Sequence, residues 1–418
     1  MQTAPLKNEV LILRQYIAGK WSDGSTRKEI VSTNPADARQ VIARLRGADK
    51  SDALKALDAA QKAFPAWRAT PAPVRGRMLA KAAMIARSRK EELARLMTRE
   101  EGKIYPEALG EIEKGLTLMD WFAGEGMRLM GTTAPSELPQ NLLYTIRQPL
   151  GVVSIITPWN FPWAIPVWKI SPALVAGNCV VFKPASLVPA LAVEIVKIFE
   201  EAGLPAGVLN LILGSGSAVG DVLVEDERIK AVSFTGSNEI GKRVHTIAGA
   251  RGIKVTCEMG GKNPAVVMAD ADLNLALAGV MKGAFGSTGQ RCTATSRLIL
   301  DEKIADRFLK MVLAEVRKIT LGDGLVKGIG MGPAVDESQM KTDLDYIEIA
   351  KKEGAKLLCG GKRPADKDLE HGYFVEPTIF DGVTPKMRLW REEVFGPVLA
   401  VTRAKDFEEA LGLANDCV

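Results

Sequence analysis

At 418 residues, 47% hydrophobic and 25% charged, the chain has room for two or three domains and at least one large core, which excludes a single small module, a disordered chain and a membrane-integral one. Its 55 basic against 50 acidic residues leave a formal charge of +5, too thin and too evenly scattered for nucleic acid. The 5 cysteines lack C-x-x-C spacing, and the 2 histidines, His245 and His371, lie far apart outside any H-E-x-x-H, which argues against a disulfide framework, a zinc ribbon or a histidine-built metal site and for a reducing compartment.

The opening MQTAPLKNEVLILRQY carries Lys7, Glu9 and Arg14 around a short apolar run and lacks the pattern of a secretory signal, so a cytoplasmic location is expected. After a short strand region, Ser51 and Asp52 open a helix with Leu54, Leu57 and Phe64 on one face. Leu79, Ala82, Ile85, Leu93 and Leu96 keep helical spacing and predict one longer helix that stops near Gly102. Residues 131–148 are polar and turn-rich around the alternating LLYTIRQ and read as an arm or hairpin. From Gln148 to Phe182 the only charge is Lys169, yet Pro149, Pro158, Pro162, Pro166, Pro172 and Asn160 interrupt the run. They would leave polar groups unsatisfied in lipid, so the stretch reads as buried strands and a loop. GVVSIIT, NCVVF, VLNLIL, AVSFT and KVTCE alternate with helical text, the pattern of a parallel sheet covered on both faces. After about Gly261, AVVMAD, RLILD, KLLCG and PVLAVT begin a second series of strands and helices.

Ligands of open parallel sheets gather at the carboxyl ends of the strands, where helix N-termini present free amides. Here those ends deliver Pro158-Trp159-Asn160, Lys183, Gly214-Ser215-Gly216, Gly236-Ser237 and Glu258. Any one of them reads equally well as an ordinary polar strand end, but all lie on one edge. GSGSAVG spaces its glycines G-x-G-x-x-x-G without a later acidic strand end, a weak dinucleotide signal, and FTGSNEIG offers an alternative phosphate turn with Ser237 as helix cap. Neither is a Walker loop, which disfavours phosphoryl transfer. Cys292, in FGSTGQRCTATSR, is the candidate nucleophile, with small neighbours and with Arg291 beside it. Cys179, Cys359 and Cys417 read as buried small hydrophobes. Strand alternation turns Cys257 toward packing and Glu258 toward a ligand.

TPWNFP (Thr157 to Pro162), FKPAS (Phe182 to Ser186), FTGSNEIG (Phe234 to Gly241), EMGGKNP (Glu258 to Pro264), GQRC (Gly289 to Cys292) and EEVFGPV (Glu392 to Val398) follow one another in the order and spacing of the NAD(P)-dependent aldehyde dehydrogenases. The chain resembles that family from about Ile17 to its last residue. AGEGMR, WAIPVWK, GQRCTATSR and DLDYIEIAKKEGAK resemble most the semialdehyde dehydrogenases that oxidise 2,5-dioxopentanoate (α-ketoglutarate semialdehyde). The resemblance implies an α/β fold. A Rossmann-like parallel-sheet cofactor domain is expected over 1–130 and 149–260, a β-hairpin oligomerisation arm over 131–148, and an α/β catalytic domain over 261–418.

The implied mechanism has Cys292 attack an aldehyde carbon, with the Asn160 amide and the Cys292 N–H as oxyanion donors. Glu258 then acts as general base on the water that hydrolyses a thioester; acylating relatives that use coenzyme A generally lack that glutamate. For the cofactor, the family pattern assigns Lys183 to the adenosine ribose, Ser237 to the pyrophosphate, Glu393 and Phe395 to the nicotinamide ribose and ring, and Trp159 to the channel near the cofactor phosphate, with Gly236 as a further cofactor-binding residue. Where NAD-preferring members often carry glutamate, this chain has Ser186, so NADP is expected to be preferred over NAD. Trp168 replaces the arginine that one type of succinate-semialdehyde dehydrogenase places before its lysine, which turns the expectation toward another semialdehyde. Trp163, Trp168 and Phe285 are candidates for an aromatic tunnel or for plain core, and Arg291 for a substrate carboxylate partner.

A succinate-semialdehyde or broad-range aldehyde dehydrogenase, an esterase acting through Cys292, and a nucleotide-binding protein with little activity are the alternatives. The small-molecule aldehyde is the expected partner, together with further copies of the chain in a homo-dimer or tetramer, and no metal, nucleic acid or membrane. The chain stops at ALGLANDCV, where the family continues, so a C-terminally truncated catalytic domain is expected.

Overall fold

The computed structural model describes residues 9–417, in two compact units. The reading of the first 16 residues as no secretory signal falls partly outside that range. The first unit comprises the chain up to Ser32 with Val41–Leu96 and Leu109–Met259; the second comprises Thr33–Gln40, Met97–Ala108 and the chain from Gly260. Assigning all of 1–130 to one domain is therefore corrected. Ala38 N–H donates to the His371 carbonyl at 2.9 Å and Tyr373 N–H to that of Pro35 at 3.0 Å, so residues 33–40 pack with the second unit.

In the first unit, a seven-stranded sheet runs in the order Lys254–Glu258, Ile229–Thr235, Val152–Ile156, Cys179–Lys183, Leu209–Leu211, Gln15–Ile17, Lys20–Ser22. The first five strands are parallel and the last two antiparallel. Val152, Ile155, Val180, Val181 and Phe182 are fully buried, as continuous apolar runs require. Lys254–Glu258 is an edge strand that alternates exposed and half-buried residues, so two-sided cover fails there.

Helix Lys50–Ala69 starts on a capping box of Asp49 and Asp52. The one long helix expected toward Gly102 is two, Ala72–Ser88 and Lys90–Glu101, separated at Arg89. The run between Gln148 and Phe182 contains a further helix, Ala164–Val175, instead of strands and loop alone. Pro166 is tolerated because it lies in the first turn, where N–H groups have no helical partner, and the Glu111 carboxylate accepts from the Trp163 and Ala164 N–H groups at 2.9 and 3.0 Å. Thr133–Ala134 and Leu143–Tyr144 pair antiparallel within 131–148.

In the second unit, Asn263–Val267, Thr295–Asp301, Val398–Ala404 and Thr378–Asp381 are parallel neighbours in that order, and Lys356–Cys359 closes the edge antiparallel. Helices Leu273–Phe285 and Glu302–Val316 share one core with Leu298 and Leu399, and Glu337–Lys352 shares another with Ile299 and Trp390. Among the described residues no helix is long and apolar enough to cross a membrane.

Candidate active site

Strands Cys179–Lys183 and Lys254–Glu258 of the first unit's parallel block end in residues singled out by the sequence, and Gly236 directly follows Ile229–Thr235. Lys183 closes Cys179–Lys183 with its ammonium buried and donating to the Pro184 carbonyl at 3.1 Å. Burial pushes that ammonium down to about 8. Ser186 donates to the Gly214 carbonyl at 3.2 Å and lines a surface hollow with Ile30, Leu45, Pro189 and Leu213. No carboxylate lines it. At the next strand end, Ser237 caps helix Asn238–Ala250 and Gly236 N–H donates to the Glu258 carbonyl at 3.1 Å. A Cβ at Gly236 would strike the Phe234 ring, so only glycine lets this turn lie flat on the sheet end.

Glu258 ends the edge strand with its side chain exposed, while Cys257 is half-buried with its thiol toward the Gly241 carbonyl, the alternation expected of a strand. The Lys169 ammonium donates to Ser233 Oγ at 2.8 Å and to the Phe234 carbonyl at 3.3 Å. Burial pushes it down to about 8, against the pull of Glu258 and Cys257. Asn160 is buried and Trp159 half-buried in the loop after Val152–Ile156.

In the second unit, Cys292 is exposed, and its carbonyl accepts from Asn263 Nδ2 at 2.6 Å. The turn before it is pinned from several sides. Gln290 donates to the Pro333 carbonyl at 3.3 Å and accepts from Val335 N–H at 2.9 Å; Thr288 donates to the Gly332 carbonyl at 3.0 Å. A small hollow is lined by Gly261, Arg291, Thr295, Glu393 and Phe395. There Glu393 accepts from Gly261 N–H at 3.2 Å, and a Cβ on Gly260 would overlap its carboxylate. Phe395 takes φ 66°, a left-handed conformation that a side chain disfavours.

Several expectations are corrected. Trp163 is fully buried with its indole against Gly115, and Phe285 is core, so neither offers a face to a ligand. Trp168 is half-buried, with the Lys114 ammonium 5.4 Å from its ring centre. The Arg291 guanidinium is engaged by the Lys282 and Gly283 carbonyls and attracted by Glu107, so it serves the turn instead of standing free for a substrate carboxylate. Cys179 is buried and its thiol is pushed up to about 12, and Cys359 is half-buried, but Cys417 is exposed.

Lys262 and Glu107 belong to the site region without having been singled out. Lys262 is buried with no hydrogen-bond partner for its ammonium, and burial, helped by Arg297, pushes it down to about 7 while Glu393 and Glu392 pull the other way. Its place directly after Gly260-Gly261 was the available signal. Glu107 touches Ser287 across 180 positions, and nothing local announces it. Among the described residues no group of three or more His, Cys, Asp or Glu is placed to hold a metal ion.

Residues 21–418 match the aldehyde dehydrogenase family. An alpha-ketoglutaric semialdehyde dehydrogenase of Bacillus subtilis (strain 168) is 46% identical over 401 residues, covering 96% of this chain and 82% of that protein. A 2,5-dioxopentanoate dehydrogenase of Saccharolobus solfataricus is 46% identical over 403 residues, covering 96% and 83%. Of solved structures, betaine aldehyde dehydrogenase from Staphylococcus aureus in complex with NAD+ superposes with a TM-score of 0.95 at 36% identity, over 98% of this chain and 81% of that one. The family match reaches residue 418, and the expected C-terminal truncation is not borne out by it. Sequence and fold agree over nearly the whole length: the chain is an NAD(P)-linked, aldehyde-oxidising enzyme that belongs to the aldehyde dehydrogenase family.

Proposed function

We propose that the chain oxidises a semialdehyde that bears one carboxylate at the end distant from its aldehyde, of the 2,5-dioxopentanoate class, to the dicarboxylic acid, with Cys292 as nucleophile, and that it takes NADP in preference to NAD. The observation that carries the reading is the exposure of Cys292 at the end of a turn fixed by Thr288 and Gln290. The relatives that act on α-ketoglutarate semialdehyde, at 46% identity, support the substrate class. Succinate-semialdehyde and broad-range aldehyde oxidation are the competing substrate readings.

In this reaction the Cys292 sulfur bonds to the aldehyde carbon, and the carbonyl oxygen takes negative charge. Asn160 and the Cys292 N–H are its donors, worth most where water is excluded. When bound, the nicotinamide supplies the acceptor for the hydride that the thiohemiacetal loses. Glu258 takes a proton from water as that water adds to the thioester carbon. The carbon–sulfur bond breaks, the acid leaves and the thiolate returns. Lys183, Ser186, Trp159, Gly236 and Ser237 hold the adenosine and pyrophosphate end, and Glu393 with Phe395 the nicotinamide ribose and ring.

The test is aldehyde-dependent reduction of NADP followed by absorbance, with wild type and Cys292→Ala, on 2,5-dioxopentanoate, succinate semialdehyde, glycolaldehyde and hexanal. The expected result is highest kcat/KM on 2,5-dioxopentanoate and loss of about 1000-fold or more in Cys292→Ala. Preference for hexanal would overturn the substrate class, and full activity in Cys292→Ala the nucleophile.

A further inference from the structure

The turn that leads into Cys292 is held in a conformation that its own sequence does not favour. Ser287 and Thr288 take φ 50° and 57°, where a side chain crowds its own backbone. Two such residues in succession persist only where their surroundings hold them. Thr288 and Gln290 are anchored to backbone at 332–335, and Gln290 N–H donates to the Ser287 carbonyl at 2.9 Å, which leaves the Ser287 N–H to another acceptor.

Ser287 is held by Glu107. One carboxylate oxygen, Oε1, accepts from the Ser287 N–H at 2.8 Å. The same oxygen and the Arg291 guanidinium close on Gly286 together. A Cβ built there would lie 2.7 Å from Arg291 Nη2 and 3.2 Å from Glu107 Oε1. Arg291 in turn donates to the Lys282 and Gly283 carbonyls at the end of helix Leu273–Phe285. Glu107 thus meets the turn at its entry and Arg291 at its exit, one residue before the nucleophile. Burial disfavours the Glu107 carboxylate, and the Ser287 N–H together with the charges of Lys103 and Arg291 works in its favour.

We infer that Glu107 is a positioning residue for Cys292: it fixes the left-handed pair at Ser287 and Thr288, and through them the direction in which the thiol is presented. The inference rests on the reading of Cys292 as nucleophile and adds a residue to it. Its rival is that Glu107 only neutralises Arg291.

The two roles separate by variant. Glu107→Gln keeps an acceptor at the same reach without the charge, and Glu107→Asp keeps the charge but withdraws the acceptor by one methylene. Alkylation of the enzyme by iodoacetamide, with the label mapped to Cys292 by peptide mass, reads thiol presentation without aldehyde or cofactor. In Glu107→Asp the high-pH plateau of the alkylation rate and kcat are expected to fall together by about 10- to 100-fold, with KM for the cofactor unchanged. Glu107→Gln is expected to keep both to within about 3-fold of wild type. The reverse order, Asp active and Gln impaired, overturns the inference in favour of charge neutralisation, and a wild-type plateau in both variants overturns both roles. Cys292→Ala is the control: if it still reduces NADP with aldehyde, the nucleophile reading falls, whereas an inactive Cys292→Ala beside a fully reactive Glu107→Asp sinks the positioning role alone.

Discussion

In the proposed preference for NADP, Ser186 is the side chain on which dinucleotide choice would turn. It lines a hollow whose other walls are Ile30, Leu45, Pro184, Ala185, Pro189, Leu213 and Gly214, none of them able to carry negative charge. Lys183, three positions earlier in the chain, is buried and shifted down to about 8, so a phosphate within its reach would meet a lysine that gains from being charged. A carboxylate at position 186 would reverse that preference. At 4 Å, two like charges near a protein surface repel by about 4 kcal/mol, enough to change binding by more than 100-fold before screening and side-chain movement reduce it. Ser186→Glu is therefore expected to lower kcat/KM for NADP by about 10- to 100-fold while leaving NAD within about 3-fold. Steady-state kinetics with both cofactors check this, and an equal fall for the two would show that Ser186 acts on packing and not on the phosphate.

Helix Glu337–Lys352 carries an acid where its apolar face should be. Asp343 has no exposed surface; its Oδ1 accepts from Gln339 Nε2 at 2.8 Å, while Oδ2 has no partner. The same Gln339 nitrogen donates to the Val394 carbonyl at 3.0 Å, and a Cβ at Gly396 would strike the Asp343 carboxyl, so this helix supports the Glu393–Gly396 turn through a polar pair. Burial holds the Asp343 carboxyl well above the usual carboxylate range. Because the raised value belongs to the folded state, the folded chain keeps a proton that the unfolded chain releases once pH passes 3.8, and stability falls as pH rises beyond that point. Relative to Asp343→Asn, wild type is expected to lose about 1.4 kcal/mol per pH unit until Asp343 itself ionises. Urea denaturation of both proteins at pH 5, 6 and 7 measures it, and a pH-independent difference would contradict it.

Elements also show why part of the architecture was legible in the sequence. Strands buried on both faces write themselves as unbroken apolar runs, so GVVSIIT and NCVVF announced Val152–Ile156 and Cys179–Lys183, and with them the sheet end that carries Asn160 and Lys183. The break at Arg89 was hidden because Leu79 to Leu96 stay in helical phase across it, and Ala164–Val175 was hidden because its prolines read as interruption. Four-residue Thr378–Asp381 is too short for periodicity to register. Glu107 could not be found at all, since its role exists only once residues 180 positions apart meet.

For the whole molecule, the segment 131–148 raises a problem that one chain does not solve. Thr133–Ala134 and Leu143–Tyr144 pair at only two positions, too few for a hairpin to persist in water by itself. Leu138, Leu142, Tyr144 and Ile146 are 60% or more exposed, and a cluster of that size usually marks a surface made to be covered. The two short strands also leave edges that can add to another sheet. A second copy of the chain supplies such cover by symmetry, because each copy offers the same arm and the same receiving surface. The chain is thus expected to sediment as a homo-dimer or tetramer at micromolar concentration. Replacing residues 133–144 by a short Gly-Ser link is expected to give monomers and to lower the melting temperature, since bound partners stabilise the folded state by mass action. Sedimentation velocity at several concentrations decides it. If the intact chain stays monomeric throughout, the arm has another purpose; if the shortened chain still assembles, the contact lies elsewhere.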